Sequence, residues 1–73
     1  MLKEGDYFLF FACGFQKEAI AKVISVSLFS IAIDYNLLGD STITRGYVSC
    51  DDSFRLLDHT GLFAARLKGF TIP

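Results

Sequence analysis

Leu28 to Asn36, LFSIAIDYN, is the stretch on which the reading of this chain turns: Phe29, Ile31, Ile33 and Tyr35 alternate with Ser30, Ala32, Asp34 and Asn36. Alternation of apolar and polar residues with a period of two is the mark of a half-buried β-strand. The preceding segment, Ala19 to Val26, carries the β-branched Val23, Ile24 and Val26, and as a strand it sets Ile20, Ile24 and Val26 on one face with Lys22. A helix over EAIAKVIS competes, but the β-branching and the abrupt run into the next strand favour a hairpin turning near Ser27-Leu28. That turn lacks the usual Gly or Asn.

Working outward, Gly5-Asp6 turns the backbone into a first strand, Tyr7 to Ala12. Tyr7, Leu9 and Phe11 point one way and Phe8, Phe10 and Ala12 the other, so both faces are apolar. Such a strand is either covered on both sides, here by a C-terminal segment, or it presents one face to a partner. Downstream, Asn36 to Ser41 is a polar connection and Thr42 to Cys50 a threonine-rich strand with Gly46 inside it, where glycine marks a bulge or sharp bend. Asp51-Asp52-Ser53 is a turn, and Phe54 to Leu57 a short fifth strand. Two readings fit the remainder. A helix over Gly61 to Lys68, capped by Thr60 and stopped by Gly69, has Phe63 and Leu67 on its buried side and Arg66 and Lys68 in its last turn. A strand would turn Phe63, Ala65 and Leu67 inward; the helix is preferred. The expected architecture is one all-β domain over residues 1 to 73, a five-stranded small β-barrel with one short C-terminal helix.

Composition narrows the function classes. The chain has 73 residues, 52% of them hydrophobic, with eight Phe and three Tyr against one Pro, so aromatic side chains must supply most of a small core. Eleven aromatics exceed what such a core readily hides, which implies an exposed aromatic surface and hence a partner or a self-interface. Net charge is −1, and Lys3, Lys17, Lys22, Arg45, Arg55, Arg66 and Lys68 are scattered without the basic stripe that phosphate neutralisation requires. Cys13 and Cys50 lie far apart and outside any Cys-x-x-Cys or Cys/His cluster, so free thiols in a reducing compartment are expected, with no metal and no cofactor. The apolar run Tyr7 to Phe15 contains a Phe-Phe-Ala-Cys that faintly resembles the end of a lipoprotein signal, but Glu4 and Asp6 stand where a signal is basic and Gly14 interrupts the run. No run is long enough to span a bilayer, and the expected location is the cytoplasm.

Gly5-Asp6 opening an aromatic strand, Ala21-Lys22-Val23 in a second and Ile33-Asp34-Tyr35-Asn36 ending a third resemble the skeleton of Tudor-type and other SH3-like small barrels over about residues 5 to 50. The resemblance implies a barrel of SH3-like type and a surface that binds other proteins. Tudor readers hold methylated lysine or arginine in an aromatic cage by cation–π attraction. Of the positions that the resemblance requires to be aromatic only Tyr35 is so here; Ala19 and Ala32 fall near the others, and Asn36 stands where the family has glycine after Asp-Tyr, which speaks against a methyl-mark reader.

Catalytic chemistry is thinly represented. Asp58-His59 has the form of an oriented general base, but no serine or cysteine completes a nucleophilic set, and an exposed turn histidine is the simpler account. Asp51-Asp52 with Asp58 falls short of a calcium loop, which needs more oxygen ligands and a glycine turn. The chain is therefore expected to be no enzyme but an interaction module that binds a protein partner through exposed aromatics or an open sheet edge, using Tyr7, Phe11, Phe15, Tyr35 and Tyr47. The alternative is a nucleic-acid accessory barrel of ribosomal or transcription-factor type, stacking bases on those aromatics with help from Lys22, Arg45 and Arg55. Homodimerisation by strand pairing is compatible with either.

Overall fold

The computed structural model describes residues 2–12, 14–49 and 54–73. Five antiparallel strands, β1 (Tyr7–Ala12), β2 (Lys17–Val26), β3 (Ser30–Leu37), β4 (Thr44–Ser49) and β5 (Arg55–Leu57), precede one helix, α1 (His59–Lys68). They form a single sheet in the order β4-β3-β2-β1-β5. The expected five strands and short helix are present, but among the described residues β4 and β5 share no ladder, so the sheet is open with two edges and not a closed barrel. The preferred helix is present, and the two cysteines and the Asp51-Asp52-Ser53 turn lie outside the described residues.

The strand period and the register sort the side chains onto two faces. On the inner face Phe8, Ala21, Val23, Ile31 and Ile33 form a buried cluster, with Phe10, Tyr35, Val48 and Phe54 packed against it. The Phe8 ring meets that of Phe54 with centroids 4.4 Å apart and that of Phe10 at 5.6 Å, both tilted. Opposite them, Ile20 and Leu9 pack against Ala65 of the helix and Phe70 of the tail. The doubly apolar β1 is thus covered on both sides, with the C-terminal segment on the outer one.

Three local readings change in the folded chain. The bulge lies in β2, between Val23 and Ser25, whereas the β3–β4 register runs unbroken past Gly46. Gly46 instead makes room for an aromatic ring: a Cβ there would stand 2.9 Å from Cε1 of Tyr35. The bulge inserts one residue, Ile24, and so reverses the facing of the strand beyond it. Val26, paired with Ile31, shares the inner row while Ile20 and Lys22 remain on the outer face. Phe29 leaves the alternation as well, because Leu28 and Phe29 form the two-residue turn of the hairpin and are each 82% exposed. Ser27 takes the place of a turn glycine: its N–H donates to the Ser30 carbonyl at 2.9 Å and its hydroxyl oxygen accepts from Ser30 N–H at 3.2 Å.

The helix begins earlier than expected. Asp58, not Thr60, is the N-cap, its carboxylate accepting from the Gly61 N–H at 2.8 Å, the bond that satisfies an otherwise orphaned donor. Gly69, at φ 121°, ends α1 as expected; its N–H bonds to the Arg66 carbonyl and that of Phe70 to Ala65. This stop throws Phe70 back onto the sheet beside Ala65. With bulk supplied from beyond the helix, the small residues Gly61 and Ala65 face the sheet, and Phe63 and Leu67 point outward, 63% and 75% exposed. The expectation that these two were the buried pair is overturned by that rotation.

Candidate partner-binding surface

Beyond Gly69 the tail crosses the outer face and is tied down by polar bonds. Asn36, fully buried, donates through Nδ2 to the carbonyls of Asp40 (2.6 Å) and Thr42 (3.1 Å) and accepts from the Thr71 N–H at 2.8 Å. It joins the β3–β4 connection to the tail. At the other side of the sheet the Tyr7 hydroxyl donates to the Pro73 carbonyl at 2.9 Å. Tyr7 is half-buried, its polar group engaged inside the molecule.

The remaining expected site residues fall at separate places. Tyr35 lies on the inner face, over Gly46 and edge-on to Phe10 with centroids 6.3 Å apart. Phe15 stands exposed in the β1–β2 turn, next to Gln16, whose φ of 55° makes the tight reversal. Tyr47 is 74% exposed on the outer face of β4. Of the three basic residues, Lys22 lines a surface depression beside the bulge together with Glu4 and Ile24. Arg45 pairs with Asp34, its cross-strand neighbour, through Nε at 2.5 Å. The hydrogen bond and the charge of Asp34 hold the guanidinium above its ordinary pKa. The row Lys22, Asp34, Arg45 across β2, β3 and β4 is consequently of mixed sign.

Phe11 and Arg55 are brought together. Both line a concavity where the end of β1 meets the start of β5 and the last turn of α1, with Leu9 and Phe10 from β1, Glu18 from β2 and Lys68 from the helix. Lys68 Nζ donates to Glu18 Oε2 at 2.7 Å, fixing the helix terminus against the hairpin. The result is an open concavity lined by three apolar residues, Leu9, Phe10 and Phe11, and three charged ones, Glu18, Arg55 and Lys68. Leu9, Phe10, Glu18 and Lys68 were not read as site residues from the sequence. The one signal for them was the doubly apolar β1, on which a covered and an uncovered stretch must share the strand.

Asp58 and His59 are occupied structurally, Asp58 as the cap and His59 as the first residue of α1. No helix among the described residues is long and apolar enough to cross a membrane. Comparison with known proteins finds no matching family model, no similar curated protein and no similar solved structure.

Proposed function

We propose that this chain is a non-catalytic interaction module, of SH3-like small-barrel type, that captures a segment of a protein partner in the concavity around Phe11 and Arg55. The observation that carries the reading is the balance of apolar surface. Among the described residues nine hydrophobic residues are buried, whereas ten large ones, Phe11, Phe15, Tyr47 and Phe63 among them, are exposed. A core outnumbered by its exposed apolar residues is what a domain evolved to cover part of its surface would have. What supports the barrel assignment is the strand order, in which β5 returns to pair antiparallel with β1. A partner segment with one apolar side chain and a carboxylate matches the apolar residues Leu9, Phe10 and Phe11 beside Arg55, Lys68 being paired with Glu18.

Capture of a partner from host lysate by the tagged protein, with and without nuclease, tests this against alanine variants at Phe11 and Arg55. Both variants are expected to keep the thermal midpoint and to lose about tenfold or more in capture, the effect of removing an anchor residue. Undiminished capture by both overturns the site. Capture that vanishes with nuclease and falls steeply with salt would replace the reading by nucleic-acid binding through Lys22, Arg45 and Arg55.

A further inference from the structure

The outer edge of β4 is built differently from the other edge of the sheet. β5 has three residues and leads at once into α1, whereas β4 runs six residues in unbroken register with β3. Natural edges are blunted by shortness, proline, lysine or a bulge. The sequence of β4, TRGYVS, has no proline, lysine or bulge, and its one charged residue, Arg45, is paired with Asp34 of the neighbouring strand.

The direction of its backbone groups is set by the neighbouring ladder. The Leu38 N–H donates to the Glu18 carbonyl and the Ser30 carbonyl accepts from Ser27, so the even-numbered residues of β3 turn their backbone toward β2. Ile31, Ile33 and Tyr35 therefore bond toward β4, to Val48, Gly46 and Thr44. Arg45 and Tyr47 are left with N–H and C=O aimed outward, and among the described residues no strand lies on that side.

We propose that this edge pairs antiparallel with the same edge of a second copy, the two-fold axis passing at Gly46. In this register Arg45 stands opposite Tyr47 of the partner copy, and Tyr47 opposite that copy's Arg45, as two hydrogen-bonded pairs. The side chains are complementary in kind: Arg45 and the partner copy's Tyr47 stand on the same face as a cation and an aromatic ring, although the guanidinium is drawn toward Asp34 on the β3 side and its stem faces the new neighbour. Gly46 meets itself at the non-hydrogen-bonded position, where two Cα atoms approach most closely and no side chain of its own stands between them, the inner side there being covered by the Tyr35 ring. Registers centred elsewhere lose this match; one residue toward the N-terminus the two Arg45 side chains would oppose each other. A second copy thus occupies the β4 edge, while the concavity around Phe11 stays open for a different partner.

Sedimentation of the purified protein from about 5 µM to about 500 µM, a range that brackets weak association, should show a reversible monomer–dimer equilibrium. Over the same range the amides of Arg45 and Tyr47 should gain protection from hydrogen exchange. The decisive variant is Tyr47→Pro, because its missing N–H points away from the sheet and proline is tolerated there in an edge strand. It should stay folded and lose dimerisation by about tenfold or more, having removed two donors and both aromatic partners. Tyr47→Phe, which keeps the N–H and the ring, should dimerise like the parent. A chain that stays monomeric throughout, a dimer that survives Tyr47→Pro, or concentration-dependent protection elsewhere than β4 overturns the assignment. If Tyr47→Pro unfolds, Arg45→Ser, which removes the guanidinium and its bond to Asp34 but keeps the backbone donor, must weaken the dimer for the proposal to stand.

Discussion

Asn36 shows how much one side chain decides. By pattern it is the polar member of an alternating strand, yet it is fully buried, and among the described residues no buried side-chain polar atom lacks a partner. Its amide reaches three backbone groups that no strand ladder serves. Asn36→Ala should lower stability by about 2–3 kcal/mol, since it removes these bonds and leaves groups such as the Thr71 N–H without a partner. Urea denaturation checks this; a loss near zero would mean that water replaces the amide. Gly46 carries the opposite lesson. Glycine inside a strand pattern signals something unusual, but whether a bend or a packed ring depends on a tyrosine eleven positions earlier, since Tyr35 and Gly46 are close only across the ladder.

At the level of elements, α1 has two phenylalanines near it that sequence pattern alone does not rank. Phe63 lies within the helix and points to water, whereas Phe70 lies beyond its end and is buried against Ile20 and Ala65. Phe70→Ala should cost about 3–5 kcal/mol, the range for an emptied aromatic core site. Phe63→Ala should stay within about 0.5 kcal/mol of the parent, as surface substitutions do. Thermal or chemical unfolding of the two variants settles the helix orientation, and equal losses would contradict it. The strands were more legible. β1 agrees with its sequence reading residue for residue, because an aromatic run bounded by turn residues admits few other conformations, and the later elements differ mainly at their ends.

For the whole molecule, charge contributes little to cohesion. Net charge is −1, and the two ion pairs among the described residues, Arg45–Asp34 and Lys68–Glu18, are both solvent-exposed. Such pairs contribute about 0–1 kcal/mol each and are screened by salt. Stability measured in low salt and in about 1 M sodium chloride should therefore differ by no more than about 2 kcal/mol from the loss of these pairs. A larger drop would locate unrecognised electrostatic support. The sheet is held by apolar cover on both faces, with the tail as the outer strap.

The sequence by itself determined the order of five strands and a hairpin near Ser27, and it favoured, without deciding, a terminal helix stopped by Gly69. Those are local properties, set by a period of two, by β-branching and by turn and cap chemistry within a few residues. The tertiary structure alone decided which surface each residue meets. Where the bulge falls in β2 reverses the facing beyond it, the cap and the Gly69 stop set which side of α1 is wet, and cross-strand register brings Phe11 to Arg55 and Asp34 to Arg45. Such juxtapositions depend on residues far apart in the chain, and no local pattern encodes them.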